Sequence, residues 1–224
     1  FGRLRARRGP RKAIVAVAAS ILTAVYWMLR RGVVYQDLGG DHFERKDRTR
    51  LAARLAHKLQ ELGFDVTVIG NEPDGRNINL ACGSTHPEEL ARVVVASGAQ
   101  MGVAFDGDGD RAIFVDHKGR VVNGDAVLLM CARYLQRENR LPGNAIVATV
   151  MSNIGLEIAL KHSNISMVRT PVGDKYVMEE MLAKGIALGG EQSGHVIFSE
   201  YLFTGDGLCS ALNVLKAVAA SGRT

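Results

Sequence analysis

The strongest constraint in this 224-residue chain is the run Asp106–Arg111, which reads Asp-Gly-Asp-Gly-Asp-Arg. Apolar stretches precede and follow it, Met101–Phe105 and Ala112–Val115. Alternate side chains of an extended segment point the same way, so the three aspartates can converge on one point. Three like charges this close repel strongly unless a cation lies among them. The two glycines allow the backbone to turn tightly there.

This run predicts a site for a hard cation. Carboxylate oxygens with room for water or a phosphate oxygen suit Mg²⁺, and Arg111 could pair with a phosphate. The structural alternative is a polar turn between two strands, because Asp-Gly pairs commonly form turns. An EF-hand fits the run poorly, since its sixth position holds Arg111 instead of glycine and its twelfth holds His117 instead of an acid.

Three further segments carry dense polar groups. Gly189–His195 follows a short apolar run and gathers an acid, an amide, a hydroxyl and an imidazole between glycines. Such a loop can present several hydrogen-bonding groups to a small polyhydroxylated ligand. Arg169–Lys175 is turn-like and has a cation at each end, and Asn77–Glu88 is a polar stretch rich in turn residues. Each of these alone is typical of an ordinary loop.

Taken in this order, the segments resemble the phosphohexomutases. The motifs are DGDGDR, VGDKYV and GEQSGH, and the stretch NINLACGSTHPE points to the glucosamine branch. The resemblance runs from about Gly70 to Thr224. It implies Mg²⁺ as cofactor and a phosphorylated amino sugar as substrate, with interconversion of glucosamine 6-phosphate and glucosamine 1-phosphate by phosphoryl transfer.

The resemblance also implies a role for each motif residue. Asp106, Asp108 and Asp110 are expected to bind Mg²⁺, and Arg111 to lie near the transferred phosphate as the catalytic residue. The substrate-binding residues that it implies are Gly173, Asp174, Lys175, Glu191, Ser193 and His195.

The chain departs from the family at its nucleophile. The family uses a phosphorylated serine in a Ser-His-Asn type loop well upstream of the metal loop, and neither Ser20, Ser84 nor Ser97 is followed by those residues. The family's C-terminal phosphate-binding domain is also expected to be missing. We therefore expect residues 70–138 to form part of domain 2 and residues 139–224 to form domain 3. We expect this chain to be inactive alone, and the sequence leaves open whether it is an enzyme.

Residues 1–69 differ in charge from the rest of the chain. They contain 14 Lys+Arg and 6 Asp+Glu, a balance of +8, whereas residues 70–224 contain 14 and 17, a balance of −3. The front segment resembles the C-terminal tail of an insertion-sequence transposase, which predicts a mostly helical basic segment joined to the mutase-like part somewhere in 63–70. The Gly63–Ile69 stretch could form a strand of either parent.

The front segment leaves other functions open. A nucleic-acid-binding transposase remnant carrying passive mutase sequence is the alternative, although a basic cluster is more often a solvated arm. An inert product of a broken gene is a third. Ala13–Leu29 is uncharged but shorter than the roughly 20 apolar residues of a membrane span. We therefore predict no membrane association, and the three widely spaced cysteines favour a cytoplasmic protein.

Alternating strand and helix patterns predict a layered α/β fold with mixed sheets. The predicted helices are Glu88–Ser97 with Thr85 as N-cap, Asp125–Asn139, Asn153–His162, Lys175–Lys184 and Asp206–Ala220. The predicted strands are Val103–Phe105, Ala112–Asp116, Ala145–Val150, Ser166–Thr170, Ile186–Leu188 and His195–Phe198.

Overall fold

The computed structural model describes residues 63–71 and 76–222, together with His57, Gln60 and Glu61, which are helical. These residues belong to one compact unit, Ala56–Thr224. The predictions for the basic cluster, the apolar run 13–29 and most of the helical basic segment fall outside the described residues. The mixed α/β fold that the sequence predicts is confirmed in two sheets.

The first sheet carries the acidic run between two of its strands. Strands β1 (Met101–Phe105) and β2 (Ala112–Asp116) pair antiparallel, and β3 (Val121–Val122) pairs antiparallel with β2. Helix α1 (Glu88–Ser97) packs against β1 and β2. The turn between β2 and β3 is closed by the Asp116 carboxylate, which accepts hydrogen bonds from the amides of Lys118 and Arg120.

The second sheet has the order β5-β4-β6-β7. Strand β4 is parallel to both of its neighbours, and β7 is antiparallel to β6. The remaining elements, in chain order, are α2 (Gly124–Arg137), a 3₁₀ turn (Pro142–Asn144), β4 (Ala145–Thr149), α3 (Ile154–Lys161), β5 (Ser166–Thr170), α4 (Asp174–Lys184), β6 (Leu188–Gly190), β7 (Val196–Phe198) and α5 (Gly207–Ser221).

Helices cover both faces of the second sheet. Ile146 and Ala148 of β4 lie in the core with α2, α3 and α5, while Ala145 and Val147 pack with Val177 and Met181 of α4. This division follows from the two-residue period of a strand. All five residues of β4 are buried, as expected for a parallel strand covered on both sides. The result is a three-layer α/β/α arrangement.

Most predicted elements are confirmed closely, with three exceptions. The strand predicted at Ile186–Leu188 lies two residues later, because the Ile186 amide bonds to Met181 O and closes α4, so β6 starts at Leu188. The N-cap predicted at Thr85 is Pro87, whose fixed backbone angle suits a helix start without a side-chain bond.

The third exception is the strand predicted in Gly63–Ile69. Residues 64–69 form no strand, and the side chains of Phe64, Val68 and Ile69 are each at least 40% exposed. Among the described residues no strand pairs with this stretch, so its backbone gains no ladder of hydrogen bonds.

The helices of the described residues were too short or too polar to qualify as membrane-crossing segments. The apolar run Ala13–Leu29 is not among these residues.

We predict that Leu128→Ala will destabilise the protein by about 2–5 kcal/mol, because Leu128 is fully buried in the core shared by α2 and the second sheet. Urea unfolding followed by circular dichroism measures the change. Leu182→Ala on α4 is the matched control, since the Leu182 side chain is 55% exposed. Equal losses for the two variants would contradict the assignment of the core.

Candidate metal and ligand site

The three aspartates converge at the turn between β1 and β2. One carboxylate oxygen from each of Asp106, Asp108 and Asp110 lies within 4.8 Å of the others. The turn is held by Asp106 Oδ1, which accepts hydrogen bonds from the amides of Gly109 at 3.0 Å and Arg111 at 3.2 Å. Two side chains are partly buried, and Asp108 is exposed. The convergence expected from the sequence spacing is therefore present.

The electrostatics of this cluster are asymmetric. Burial acts to raise the pKa of Asp106, but hydrogen bonds with Asp110 and from the Arg111 and Gly109 amides hold it below its ordinary value. Burial, the hydrogen bond with Asp106 and the charges of Asp106 and Asp108 raise the pKa of Asp110. Repulsion is thus concentrated on Asp110, whose Oδ1 is buried without a hydrogen-bond partner among the described residues.

The donor set fits a divalent cation. Opposite ligands of Mg²⁺ lie about 4.2 Å apart, so small rotations of the three aspartates would bring their oxygens to one ion. The unpartnered oxygen of Asp110 and the raised pKa of its carboxyl group are both relieved by a positive charge. Asp106, Asp108 and Asp110 are the residues that could hold such an ion.

A backbone connection joins the two sheets beside this cluster. Arg111 and His195 form an antiparallel bridge, and the Ala112 amide donates to Gly194 O at 3.1 Å. Gly194 has φ +93°, and a Cβ there would lie 2.4 Å from Ala112 O, so a side chain at this position is excluded. This bridge brings the acidic turn to the Gly189–His195 loop.

His195 lies beside the acidic cluster, next to Asp110. Its side chain is only 3% exposed, and Nε2 is 3.6 Å from Asp110 Oδ2. A Cβ on Gly205 would lie within 2.7 Å of three atoms of the imidazole ring, so glycine is needed where the ring packs. Nδ1 has no hydrogen-bond partner among the described residues.

Glu191 connects two of the predicted sugar-binding segments. Its Oε1 accepts a hydrogen bond from the Gly173 amide at 3.1 Å. Gly173 is the N-cap of α4, and its φ of +132° is a conformation that favours glycine. Glu191 therefore holds the turn before α4 against the Gly189–His195 loop.

A cavity of about 520 Å³ opens where these segments meet. This volume lies within the range of small-molecule sites. Its lining combines one cation, one acid, amides, hydroxyls and two apolar side chains: Arg111, Asn123, Thr149, Met151, Val172, Glu191, Gln192 and Ser193. Arg111 is 47% exposed, and its Nε lies 3.8 Å from Asp106 Oδ2, so the guanidinium group stands between the acidic cluster and the cavity.

The structure brings some of the predicted site residues to the cavity and leaves others outside its lining. Arg111, Glu191 and Ser193 line it, whereas Gly173, Asp174, Lys175 and His195 do not. Lys175 Nζ lies 3.8 Å from Glu179 Oε1 on the exposed side of α4. Asp174 accepts a hydrogen bond from the Lys175 amide.

Sequence reasoning missed several lining residues, which are Asn123, Thr149, Met151, Val172 and Gln192. Thr149 ends the parallel strand β4, and the carboxyl end of such a strand is where α/β sheets bind ligands, so this signal was available. The Thr149 hydroxyl is fully buried and has no hydrogen-bond partner among the described residues.

Known proteins match this chain in sequence. Residues 123–224 match the family model described as phosphoglucomutase/phosphomannomutase, alpha/beta/alpha domain III. The phosphoglucosamine mutase of Solibacter usitatus is 53% identical over 221 residues, which is 95% of this chain and 49% of that protein. The chain thus spans about half the length of this relative, and an alignment of this coverage includes most of residues 1–69.

Solved structures share the fold. A phosphoglucomutase/phosphomannomutase family protein of Burkholderia thailandensis is 29% identical with a TM-score of 0.67, covering 77% of this chain and 38% of that chain. The N-acetylphosphoglucosamine mutase of Aspergillus fumigatus, solved with GlcNAc-6P and magnesium, is 22% identical with a TM-score of 0.58, covering 75% and 42%. The second likeness shows the fold alone.

The predicted transposase origin of residues 1–69 stays a prediction, and the matches give no support to a nucleic-acid-binding function. The description of the matched family model agrees with the α/β/α layering of the second sheet. The chain is homologous to phosphoglucosamine mutases, and its residues 123–224 correspond to domain III of the phosphoglucomutases and phosphomannomutases.

Proposed function

We propose that this chain is the metal- and sugar-binding part of a phosphoglucosamine mutase, and that its cavity binds a phosphorylated amino sugar beside a Mg²⁺ ion. The observation that carries the proposal is the bridge between Arg111 and His195, which joins the acidic turn to the polar loop at one cavity. The names of the matched relatives supply the reaction, and the geometry around the cavity supports it.

Each predicted site residue has a role in this proposal. Asp106, Asp108 and Asp110 would hold Mg²⁺, which when bound would neutralise charge on the transferring phosphoryl group. Arg111 offers a guanidinium group to phosphate oxygens at the cavity wall. Glu191 and Ser193 would accept from and donate to sugar hydroxyls.

The residues outside the lining would act indirectly. The Gly173 amide donates a hydrogen bond to Glu191 and so orients that side chain toward the cavity. His195 supports Asp110. Asp174 and Lys175 are exposed at the start of α4, next to Gly173, where a bound ligand that extends beyond the cavity would meet them.

The domain organisation is also a proposal. The buried residues of α2, such as Leu128 and Cys131, share a core with β4, and the family match begins at residue 123. We therefore move the boundary predicted at 138/139 to about residue 122. The boundary at 69/70 and the transposase origin of the tail stay predictions. All three cysteines are free, which supports the proposed cytoplasmic location.

We predict that Asp108→Asn will lower the pKa of Asp110 in the metal-free protein, because the charge of Asp108 is one of the causes that raise it. Carboxyl carbon shifts followed by NMR over a pH titration measure this. Asp116→Asn is the control, since Asp116 lies at the far end of β2, about 13 Å along the strand from the turn. An unchanged Asp110 titration in Asp108→Asn would contradict the clustered arrangement.

We predict that the chain binds glucosamine 6-phosphate in the presence of Mg²⁺, and that Glu191→Ala weakens this binding about tenfold by removing a charged hydrogen-bond acceptor. Titration calorimetry gives both affinities. Glu180→Ala is the matched control, because Glu180 on α4 pairs with Lys184 and does not line the cavity. No heat from the unaltered chain at millimolar sugar phosphate would refute the proposed function.

We predict that this chain alone will not interconvert glucosamine 6-phosphate and glucosamine 1-phosphate. No serine of the chain lies in the family's phosphorylated loop, and the loss of even one transition-state contact commonly costs about 100-fold or more. A coupled assay with the bisphosphorylated sugar and Mg²⁺ tests this. Turnover above that of Asp108→Ala would show that another residue serves as nucleophile.

A further inference from the structure

The first turn of α2 lies between two walls of the cavity. One wall is the Glu191–Ser193 segment, and the other is the Thr149–Asn153 turn after β4, which contributes Thr149 and Met151. Asn123 begins this first turn of the helix as its N-cap, and its side-chain oxygen accepts from the Ala126 amide at 3.3 Å. Because Asn123 also lines the cavity, the start of α2 is itself part of the site.

Gly124 fastens α2 to the first wall. Its amide donates to Gln192 O at 3.0 Å. A Cβ on Gly124 would lie 2.0 Å from Glu191 O and 2.9 Å from the Gly194 amide nitrogen. The backbone of the loop therefore lies directly against the helix, and only glycine fits between them.

Asp125 fastens α2 to the second wall. Its side chain is 6% exposed, and Oδ2 accepts from the Asn153 amide at 2.8 Å. Asn153 caps α3 by accepting from the Gly155 amide, and the Ser152 amide bonds back to Thr149 O. The other oxygen of Asp125 has no hydrogen-bond partner among the described residues. Within them, the carboxylate therefore bonds to the second wall and to nothing else.

We infer that Asp125 is a positioning residue: through the first turn of α2 it fixes the distance between the two cavity walls, and so the fit of the ligand. The identity of that ligand rests on the proposed function, whereas the coupling of the walls does not. A role limited to the helix dipole would need only an acid near the helix start, and neither burial nor a bond to Asn153.

Amide hydrogen exchange of the full chain tests the coupling without any ligand. The amides of Gly124 and Gly194 donate to Gln192 O and Glu191 O of the first wall. In Asp125→Ala we expect these two amides to exchange about tenfold faster. Asp125→Asn keeps an acceptor oxygen for the Asn153 amide and should restore slow exchange. Glu138→Ala is the matched control, because Glu138 is an exposed acid at the other end of α2. Faster exchange at Asn153 alone would overturn the inference.

A second variant perturbs the first wall instead of the second. It keeps the test decisive if Asp125→Ala fails to fold. In Gly124→Ala the added Cβ must displace Glu191 O. We expect faster exchange at Ser152 and Asn153 as well, because coupling between two sites is reciprocal. Unchanged exchange at both of these amides would overturn the inference.

Ligand binding then tests the consequence for fit. Asp125→Ala should bind glucosamine 6-phosphate about tenfold more weakly, Asp125→Asn should bind like the unaltered chain, and the heat of Mg²⁺ binding should stay the same in all three. Equal sugar-phosphate affinities in the presence of altered exchange would overturn the role in fit. If the unaltered chain binds no sugar phosphate, the proposed function fails, while the exchange measurements still decide whether the walls are coupled.

Discussion

The backbone bridge between the two sheets is the interaction on which the rest of the site depends. A single antiparallel bridge joins Arg111 to His195, and the bond from the Ala112 amide to Gly194 O continues it. Arg111 comes directly after the three aspartates, and His195 is the last residue of the polar loop. Two motifs that are more than 80 residues apart in sequence therefore meet within one or two residues of this bridge, which sets Arg111 and Ser193 on one cavity.

The acidic turn depends on this support because its own charges oppose it. Three carboxylates repel at short range, and the raised pKa of Asp110 reflects that repulsion together with burial. Hydrogen bonds from the Gly109 and Arg111 amides stabilise Asp106 alone. Further support comes from α5, where the Gly207 amide donates to Gly109 O at 2.9 Å. Clusters of like charge with shifted pKa values are typical of functional sites.

Local sequence patterns predicted the elements and the chemistry but not the tertiary details. The continuous apolar run of β4 and the acidic run were sufficient to predict that strand and the convergence of the three carboxylates. The bounds of β6 were predicted two residues too early, because its pairing, in which Gly189 lies opposite Val147, depends on a distant strand. Similarly, Thr149 lines the cavity because of where the chain folds, and it carries no motif of its own. Apolar character alone also predicted a strand at 64–69, where no described strand pairs with the chain.

The two sheets differ in how firmly they are built, and this difference decides where the site takes its rigidity. The second sheet has helices on both faces, and its central strand is entirely buried. Among the described residues the first sheet has three strands, and Val121 at its edge is 53% exposed. The acidic turn belongs to the less covered sheet, yet its contacts through Gly194 and Gly207 run to the better packed one. The positions of side chains in a site are only as well defined as the elements that hold them. The second sheet and its covering helices must therefore position the aspartates as well as the cavity. Changes in α5 should therefore reach the acidic turn through the hydrogen bond from the Gly207 amide to Gly109 O, without any contact to a carboxylate.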